Sequence, residues 1–264
     1  MDYFKQIAEM QKEFIKNPRQ GIIKFLNEEK ESIKKLQKLN LSLDDLLIFK
    51  YFHKEYAQII GKLMETRILD FEKLLDHNEF VSILQRFNEG ADAVSSYKSE
   101  INEMTAIRLS RAYATFIEIV WKKLRRIVSL SGLNPKNEHL NIPILLKKLE
   151  NIENKYNIKL ITIKRYVDGE LRNFVNHETS IFIPPNIISF LDARGARSVE
   201  VKRLTTEQIY KLLLNAMAML TAFISVEKSA IASKLEPLLK LSDPELNEYI
   251  KTGTLTQEMI KKMY

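Results

Sequence analysis

The stretch LRNFVNHETS, residues 171 to 180, decides how this chain is interpreted, because it sets four polar side chains into an apolar helical pattern. Apolar residues recur around it at three- and four-residue spacing, which predicts a helix from about Thr162 to His177. The four polar residues are Arg172, Asn173, Asn176 and His177.

The predicted helix has an apolar side and a polar side. At about 100° per residue, one side carries Ile163, Val167, Leu171, Phe174 and Val175. The four polar residues fall on the opposite side, with Gly169 among them. A mid-helix glycine costs about 1 kcal/mol relative to alanine, and it lets a backbone or a ligand approach closely. Two interpretations stay open: an ordinary polar helix end, with Arg172 paired to Asp168, or a site that binds phosphate.

Composition bounds the classes to which this chain can belong. Its 264 residues allow one large domain or two small ones, and 41 basic against 34 acidic residues give a net charge of +7. This balance favours polyanionic partners such as RNA or DNA, although a solvated lysine-rich surface explains it as well. The absence of cysteine excludes disulfides, thiolate metal sites and cysteine nucleophiles.

The sequence shows neither the pattern of a secretory signal nor that of a membrane-spanning helix. The N-terminal residues alternate charged and apolar side chains without a secretory signal, which predicts a cytoplasmic protein. The longest uncharged run, Leu212 to Val226, spans about 15 residues, short of the roughly 20 that a membrane helix needs. We therefore expect a buried core helix there.

The chain as a whole predicts a mostly helical fold. Glycine and proline are scarce, seven of each, and helical periodicity continues almost throughout. Small and polar residues replace this periodicity at 88–96. We expect a boundary there, between an N-terminal helical segment of unknown role, 1–95, and a helical domain, 96–264.

After the motif helix the pattern changes to extended structure. Ile188 to Leu204 predicts a small β-hairpin that turns at Arg194-Gly195. Thr205 and Gln208 form the pattern of a capping box, which predicts an apolar helix from Thr206 onwards. Similar caps at Ser242/Glu245 and Thr254/Gln257 predict two short helices at the end of the chain.

Arg172-Asn173-x-x-x-His177 resembles the Rx4-6H motif of the HEPN superfamily, in its form with a polar residue after the arginine. The order of predicted elements is similar as well: a long helix, a second helix, the motif helix, an extended segment and an apolar helix. The resemblance covers about Tyr97 to Leu235. Thr179 departs from one subgroup, which often has a tyrosine two residues after the histidine.

The resemblance implies an all-α helical bundle, here with an N-terminal helical extension and the small hairpin. It also implies a homodimer with facing motif helices and a metal-independent endoribonuclease that needs no cofactor. Members occur in toxin-antitoxin and antiviral defence systems, so an antitoxin or another defence protein is an expected partner. Arg172 and His177 would be catalytic, with Asn173 orienting the imidazole or the phosphate, and Asn176 and Gly169 supporting them.

Two basic clusters are candidates for contact with RNA. The first is Lys122, Lys123, Arg125 and Arg126, beside Trp121, and the second is Arg194, Arg197, Lys202 and Arg203. A solvated helix face with Trp121 packed inward is the simpler explanation of the first cluster. The alternative function is a non-catalytic helical module that binds RNA or a protein partner, such as a scaffold or an antitoxin. The single histidines His53, His77 and His139 have no metal-ligand spacing around them, so structural or surface roles are expected.

Overall fold

The computed structural model describes residues 16–37, 43–65, 77–99, 101–133, 141–167, 180–192 and 199–264. Of these residues 81% are helical, which confirms the prediction of a mostly helical protein. The chain divides into two compact units, a smaller one within Met1–Asn40 and Ser225–Tyr264 and a larger one within Leu41–Ile224.

The elements are numbered along the described chain. The helices are α1 (Pro18–Gln37), α2 (Leu43–Glu65), α3 (His77–Ser99), α4 (Glu103–Leu130), α5 (Ile142–Tyr156), α6 (Ile161–Tyr166), α7 (Thr206–Leu235), α8 (Asp243–Thr252) and α9 (Gln257–Met263). The strands are β1 (Ser180–Ile183), β2 (Ile187–Asp192) and β3 (Val199–Thr205). A 3-10 helix, Glu236–Lys240, follows α7.

The larger unit is built around α4. The Asn102 side chain accepts a hydrogen bond from the backbone N–H of Thr105 and begins the helix. The chain leaves the helix at Ser131, and Gly132 takes a positive φ of 77°, as the Ser-Gly pair predicts. Apolar side chains along α4 are fully buried, among them Leu109, Phe116, Val120, Leu124 and Ile127.

Helix α3 runs through the segment 88–96, so the break in helical structure that was predicted there is wrong. Gly90 lies inside the helix at a position where the ring of Phe116 on α4 leaves no room for a side chain. A Cβ there would lie 2.7 Å from Cε2 of Phe116. The serines and alanines that follow are compatible with a helix. A domain boundary between residues 95 and 96 would fall within this element.

The predicted hairpin is confirmed as β2 and β3, which pair antiparallel from Ile187 opposite Thr205 to Asp192 opposite Val199. In the described residues it is part of a three-stranded sheet of order β1-β2-β3. Strand β1, which pairs with β2 through Ile183 opposite Ile187, was not predicted from the sequence pattern. It is four residues long, too short for an alternating pattern to stand out before Pro184.

Helix α7 contains the apolar run that was expected to be a core helix. Thr205 and Gln208 form the predicted capping box, with each backbone N–H donating to the other's side chain at 2.8 and 3.2 Å. Among the described residues, the stretch Thr206–Lys240 is long and apolar enough to cross a membrane by length and composition. Of its most apolar window 44% is buried, and Leu213, Met219, Leu220 and Phe223 in the larger unit are fully buried. These positions confirm the core helix.

The smaller unit joins α1 to the C-terminal helices. Its core consists of Ile22, Leu238, Leu241, Leu246, Met259 and Met263. The cap at Ser242 is confirmed, since its backbone N–H donates to Glu245 at 2.9 Å. The cap of α9 is Thr256, which accepts from the N–H of Met259, and not Thr254, whose hydroxyl donates to the carbonyl of Thr252.

Candidate functional site

The motif itself lies outside the described residues, which break off at Val167 and resume at Ser180. This gap contains all five predicted site residues of the motif segment: Gly169, Arg172, Asn173, Asn176 and His177. The structure defines the two elements between which that segment is held, α6 before it and β1 after it.

The N-terminus of α6 is capped by a side chain from a distant helix. The Glu55 carboxylate on α2 accepts from the backbone N–H of Thr162 at 2.8 Å and from that of Ile163 at 2.9 Å. Leu160, at the local cap position, supplies no side-chain hydrogen bond. Glu55 therefore satisfies donors of the first helical turn that would otherwise have no partner within the helix.

A second carboxylate holds the same end of α6. Glu153 on α5 accepts from the backbone N–H of Leu160 and from Nζ of Lys164, both at 2.6 Å. The side chains of Glu153 and Lys164 are 10% and 26% exposed, so this ion pair is shielded from solvent far better than a surface pair. The start of α6 is thus fixed from two directions.

Packing completes the hold on α6. Ile163 is fully buried and Val167 is 3% exposed, as their place on the apolar side predicts. The ring of Tyr166 meets that of Phe52 edge to face, with centroids 5.5 Å apart. Carboxylates hold one end of this short helix and an aromatic contact holds the other.

The helix that was predicted to continue to His177 ends at Tyr166. Val167 follows it with a ψ of 72°, which is outside the helical range, while its N–H still donates to the carbonyl of Ile163. The apolar periodicity that predicted the longer helix gave no signal for an end at this position. The prediction of one continuous helix from Thr162 to His177 is therefore wrong.

The covalent chain limits how far the motif can lie from these anchors. Arg172 is five residues after Val167 and His177 three residues before Ser180. At about 3.6 Å per extended residue, these segments reach at most about 18 Å and 11 Å.

The first basic cluster is divided between the faces of α4. Lys122 is exposed, with its Nζ 3.9 Å from Oε1 of Glu118, whereas Lys123 is only 3% exposed. Trp121 is buried, as expected, with the guanidinium carbon of Arg125 6.0 Å from its ring centre. Successive residues are about 100° apart on a helix, so they cannot share one surface. Because Lys123 is buried, the prediction that it contacts RNA is wrong. Arg126 is half-buried.

The second basic cluster is divided by the sheet. Arg203 is exposed and donates to Glu200 at 2.9 Å, and the buried Ser189 hydroxyl donates to the same carboxylate at 2.5 Å. The hydrogen bond from Ser189, followed by that from Arg203, lowers the pKa of Glu200. Lys202 lies on the opposite face because side chains alternate along a strand. Arg194 and Arg197 lie outside the described residues.

The other histidines show no catalytic arrangement where the structure describes them. His53 is half-buried beside Phe49, with ring centres 5.9 Å apart, and burial lowers its pKa. His77 is the first residue of α3, and His139 lies outside the described ranges. Within those ranges no group of histidine and carboxylate side chains is arranged to hold a metal ion.

The capping role of Glu55 was not predicted, although the sequence contains a signal for it. Glu55 is an acidic residue between Phe52 and Tyr56, on a helix side whose other members are apolar and fully buried. A buried carboxylate requires hydrogen-bond donors. The sequence did not show that the donors are 107 and 108 residues away.

No protein-family model, curated protein or solved structure matches this chain.

Proposed function

We propose that this protein is a metal-independent endoribonuclease of the HEPN type, acting on single-stranded RNA in a cytoplasmic toxin or defence system. The observation that carries the proposal is the motif Arg172-Asn173-x-x-x-His177. Three features support it: the mostly helical fold, the anchoring of α6 directly before the motif, and the net charge of +7. A positive charge favours association with a polyanion.

The proposed reaction uses the RNA's own 2′-hydroxyl. A base removes its proton, the oxygen attacks the adjacent phosphorus, and the bond from phosphorus to the 5′-oxygen breaks as an acid protonates that oxygen. The products are a 2′,3′-cyclic phosphate and a free 5′-hydroxyl. His177 is suited to proton transfer because an imidazole titrates near neutral pH. Arg172 is suited to the phosphate because its guanidinium donates two parallel hydrogen bonds, and Asn173 orients either partner.

The cleavage assay uses a fluorescent single-stranded RNA in the presence of EDTA, with product ends identified by mass spectrometry. We expect cyclic phosphate ends from the unmodified protein and none from Arg172→Ala or His177→Ala. Arg86→Ala is the matched control, since Arg86 is an exposed arginine that pairs with Glu89 on its own helix. Circular dichroism verifies that each variant is folded. Cleavage that survives both motif changes contradicts the proposal.

The proposed site is composite. Two copies with facing motif segments would supply two histidines, one as base and one as acid, and would bring each arginine near the other copy's histidine. Light scattering with and without RNA tests this arrangement. A protein that is monomeric under both conditions while cleaving RNA would exclude the composite site. A protein that binds RNA or a neighbouring antitoxin without cleavage would instead be the non-catalytic module.

A further inference from the structure

Helix α6 is held between α2 and α5 and leaves one side in solvent. The ring of Tyr166 contacts α2, and Lys164 pairs with α5. Ile163, between these two contacts, is fully buried. At about 100° per residue, Ile161 and Arg165 lie on the opposite side of α6, one turn apart. Both side chains are exposed, that of Ile161 by 66%.

Arg165 extends from this exposed side towards α2. Its guanidinium carbon is 5.9 Å from the ring centre of Tyr166, the ring that meets Phe52. On α2, the side that faces α6 carries Phe52 and Glu55, whose carboxylate caps α6. With Phe52 as zero, Glu55 lies at about 300° and Tyr51 at about 260°, so Tyr51 is just outside the contact with α6. Arg165 and Tyr51 therefore border the same surface.

Tyr51 is an exposed aromatic side chain among cations. It is 53% exposed. Lys54 is about one turn further along α2, and Lys50 and Lys54 form an exposed i, i+4 pair. Within residues 47–62 and 157–167, all of which the structure describes, the single carboxylate is Glu55. Glu55 is 9% exposed and accepts two backbone N–H groups, so the exposed charge of this surface is positive.

We propose that Lys50, Tyr51, Lys54 and Arg165 form a binding surface for single-stranded RNA, the α2–α6 surface. A base stacks on the ring of Tyr51, and the three cations contact phosphates. Proteins bind single strands with this combination of an exposed aromatic ring and surrounding positive charge. The choice of RNA as the ligand rests on the proposed function, whereas the geometry of the surface does not involve the motif.

A membrane is the less suitable partner for the α2–α6 surface. A helix that lies in the interface of a bilayer needs a continuous apolar face. The exposed side of α2 instead carries Lys50, Lys54 and Gln58 at intervals of four residues. Polar side chains therefore interrupt any apolar stripe along this helix.

The stacking role of Tyr51 is measured by fluorescence anisotropy. The probe is a labelled single-stranded RNA with every 2′-hydroxyl methylated, which blocks cleavage by 2′-hydroxyl attack. We expect Tyr51→Ala to weaken binding by about 10-fold and Tyr51→Phe to preserve it, because a phenyl ring still stacks. Tyr264→Ala is the matched control, since Tyr264 is another exposed tyrosine, at 86%. An equal loss in Tyr51→Phe or in Tyr264→Ala overturns the stacking role.

The cations are tested through the salt dependence of the same binding constant. Changing both Lys50 and Lys54 to glutamine should reduce the slope of log K against log salt by about 1.4, and Arg165→Gln by about 0.7, since each phosphate contact on a single strand contributes about 0.7. The matched control changes Arg86 and Lys211 to glutamine. Both are exposed and pair with a glutamate on their own helix. Equal effects of the two double changes would show that net charge alone acts, and would overturn the surface.

Cleavage of unmethylated RNA separates this inference from the proposed function. If the unmodified protein binds the methylated RNA through Tyr51 but cleaves no RNA, the proposed function fails and the surface stands. If it cleaves RNA while the Tyr51 and lysine variants bind the methylated RNA normally, the surface fails and the proposed function stands. Vesicles of phosphatidylcholine and phosphatidylserine test the other partner. Binding to vesicles and not to RNA, abolished by Tyr51→Ala, would assign the surface to a membrane and overturn the proposal.

Discussion

Gly90 on α3 lies directly against the ring of Phe116 on α4, so closely that a Cβ there would stand 2.7 Å from Cε2 and 3.3 Å from Sδ of Met217. Gly90→Ala should therefore destabilise the protein, although alanine favours a helix by about 1 kcal/mol. Overpacking costs about 1–3 kcal/mol and is expected to prevail. Urea unfolding followed by circular dichroism measures the difference.

Gly61→Ala is the matched control for Gly90→Ala. Gly61 is also inside a helix, α2, but a Cβ there would have no neighbouring atom within 4 Å. Only the helix preference remains, so this change should stabilise the protein by up to about 1 kcal/mol. Destabilisation by both substitutions would show that contact with Phe116 does not explain the glycine at position 90.

Lys122 and Lys123 should respond differently although they are adjacent. If the first basic cluster contacts RNA, Lys122→Ala weakens binding and lowers the salt dependence of the binding constant by about one ion. Lys123→Ala removes a buried side chain and should instead lower the free energy of unfolding by about 1–3 kcal/mol. Fluorescence anisotropy with labelled RNA at several salt concentrations separates the two. Equal effects of both changes on RNA binding would contradict the divided cluster.

Arg19 holds the smaller unit together through backbone carbonyls rather than through its ion pair. Its Nη1 donates to the carbonyl of Leu239 at 2.8 Å and its Nη2 to that of Leu241, while Nε meets the 71% exposed Asp243 at 2.5 Å. Arg19→Lys should cost about 1–3 kcal/mol because an ammonium cannot reproduce the planar fork. Asp243→Asn should cost less than about 1 kcal/mol, as for exposed pairs. The midpoint of urea unfolding tests the order, and a larger loss for Asp243→Asn would reverse this account.

Glu245 links α8 to α9 and gives the smaller unit a predictable response to acid. The hydrogen bond from Lys262, at 2.5 Å, and those from Ser242 lower the pKa of Glu245 from 4.5 to about 2. A carboxyl whose pKa is lowered on folding stabilises the protein fully above its ordinary pKa, and this contribution disappears as the pH falls from 4.5 towards 2. Lys262→Gln should raise the pKa of Glu245 and flatten the loss. An NMR titration of the Glu245 carboxyl carbon checks this, and a midpoint near 4.5 in the unmodified protein would contradict it.

The features that the sequence predicted correctly depend on residues close together in the chain. The end of α4 at Ser131-Gly132 and the capping box of Thr205 with Gln208 involve neighbours within a few positions. The β2–β3 hairpin is likewise local, and its alternation was visible without β1. Turn preferences, caps and side-chain periodicity act over such distances, so they can be read from one sequence.

The features that were predicted wrongly from the sequence depend on contacts between distant parts of the chain. Residues 88–96 were interpreted as a break because small and polar residues replace the apolar periodicity there, whereas contact with Phe116 explains the glycine at position 90 within a continuous helix. The helix predicted to reach His177 ends at Tyr166, whose ring packs against that of Phe52 from a distant helix. The motif residues themselves lie between described segments, so their geometry stays a prediction.

The sequence by itself determined the helical class, the hairpin and the motif Arg172-Asn173-x-x-x-His177, because propensity, alternation and residue chemistry are local properties. Only the tertiary structure decided that Glu55 caps α6, that Lys123 is buried and that α3 continues through Gly90. A buried charge or a missing side chain is explained by the partner it meets, and that partner is brought close only when the chain folds.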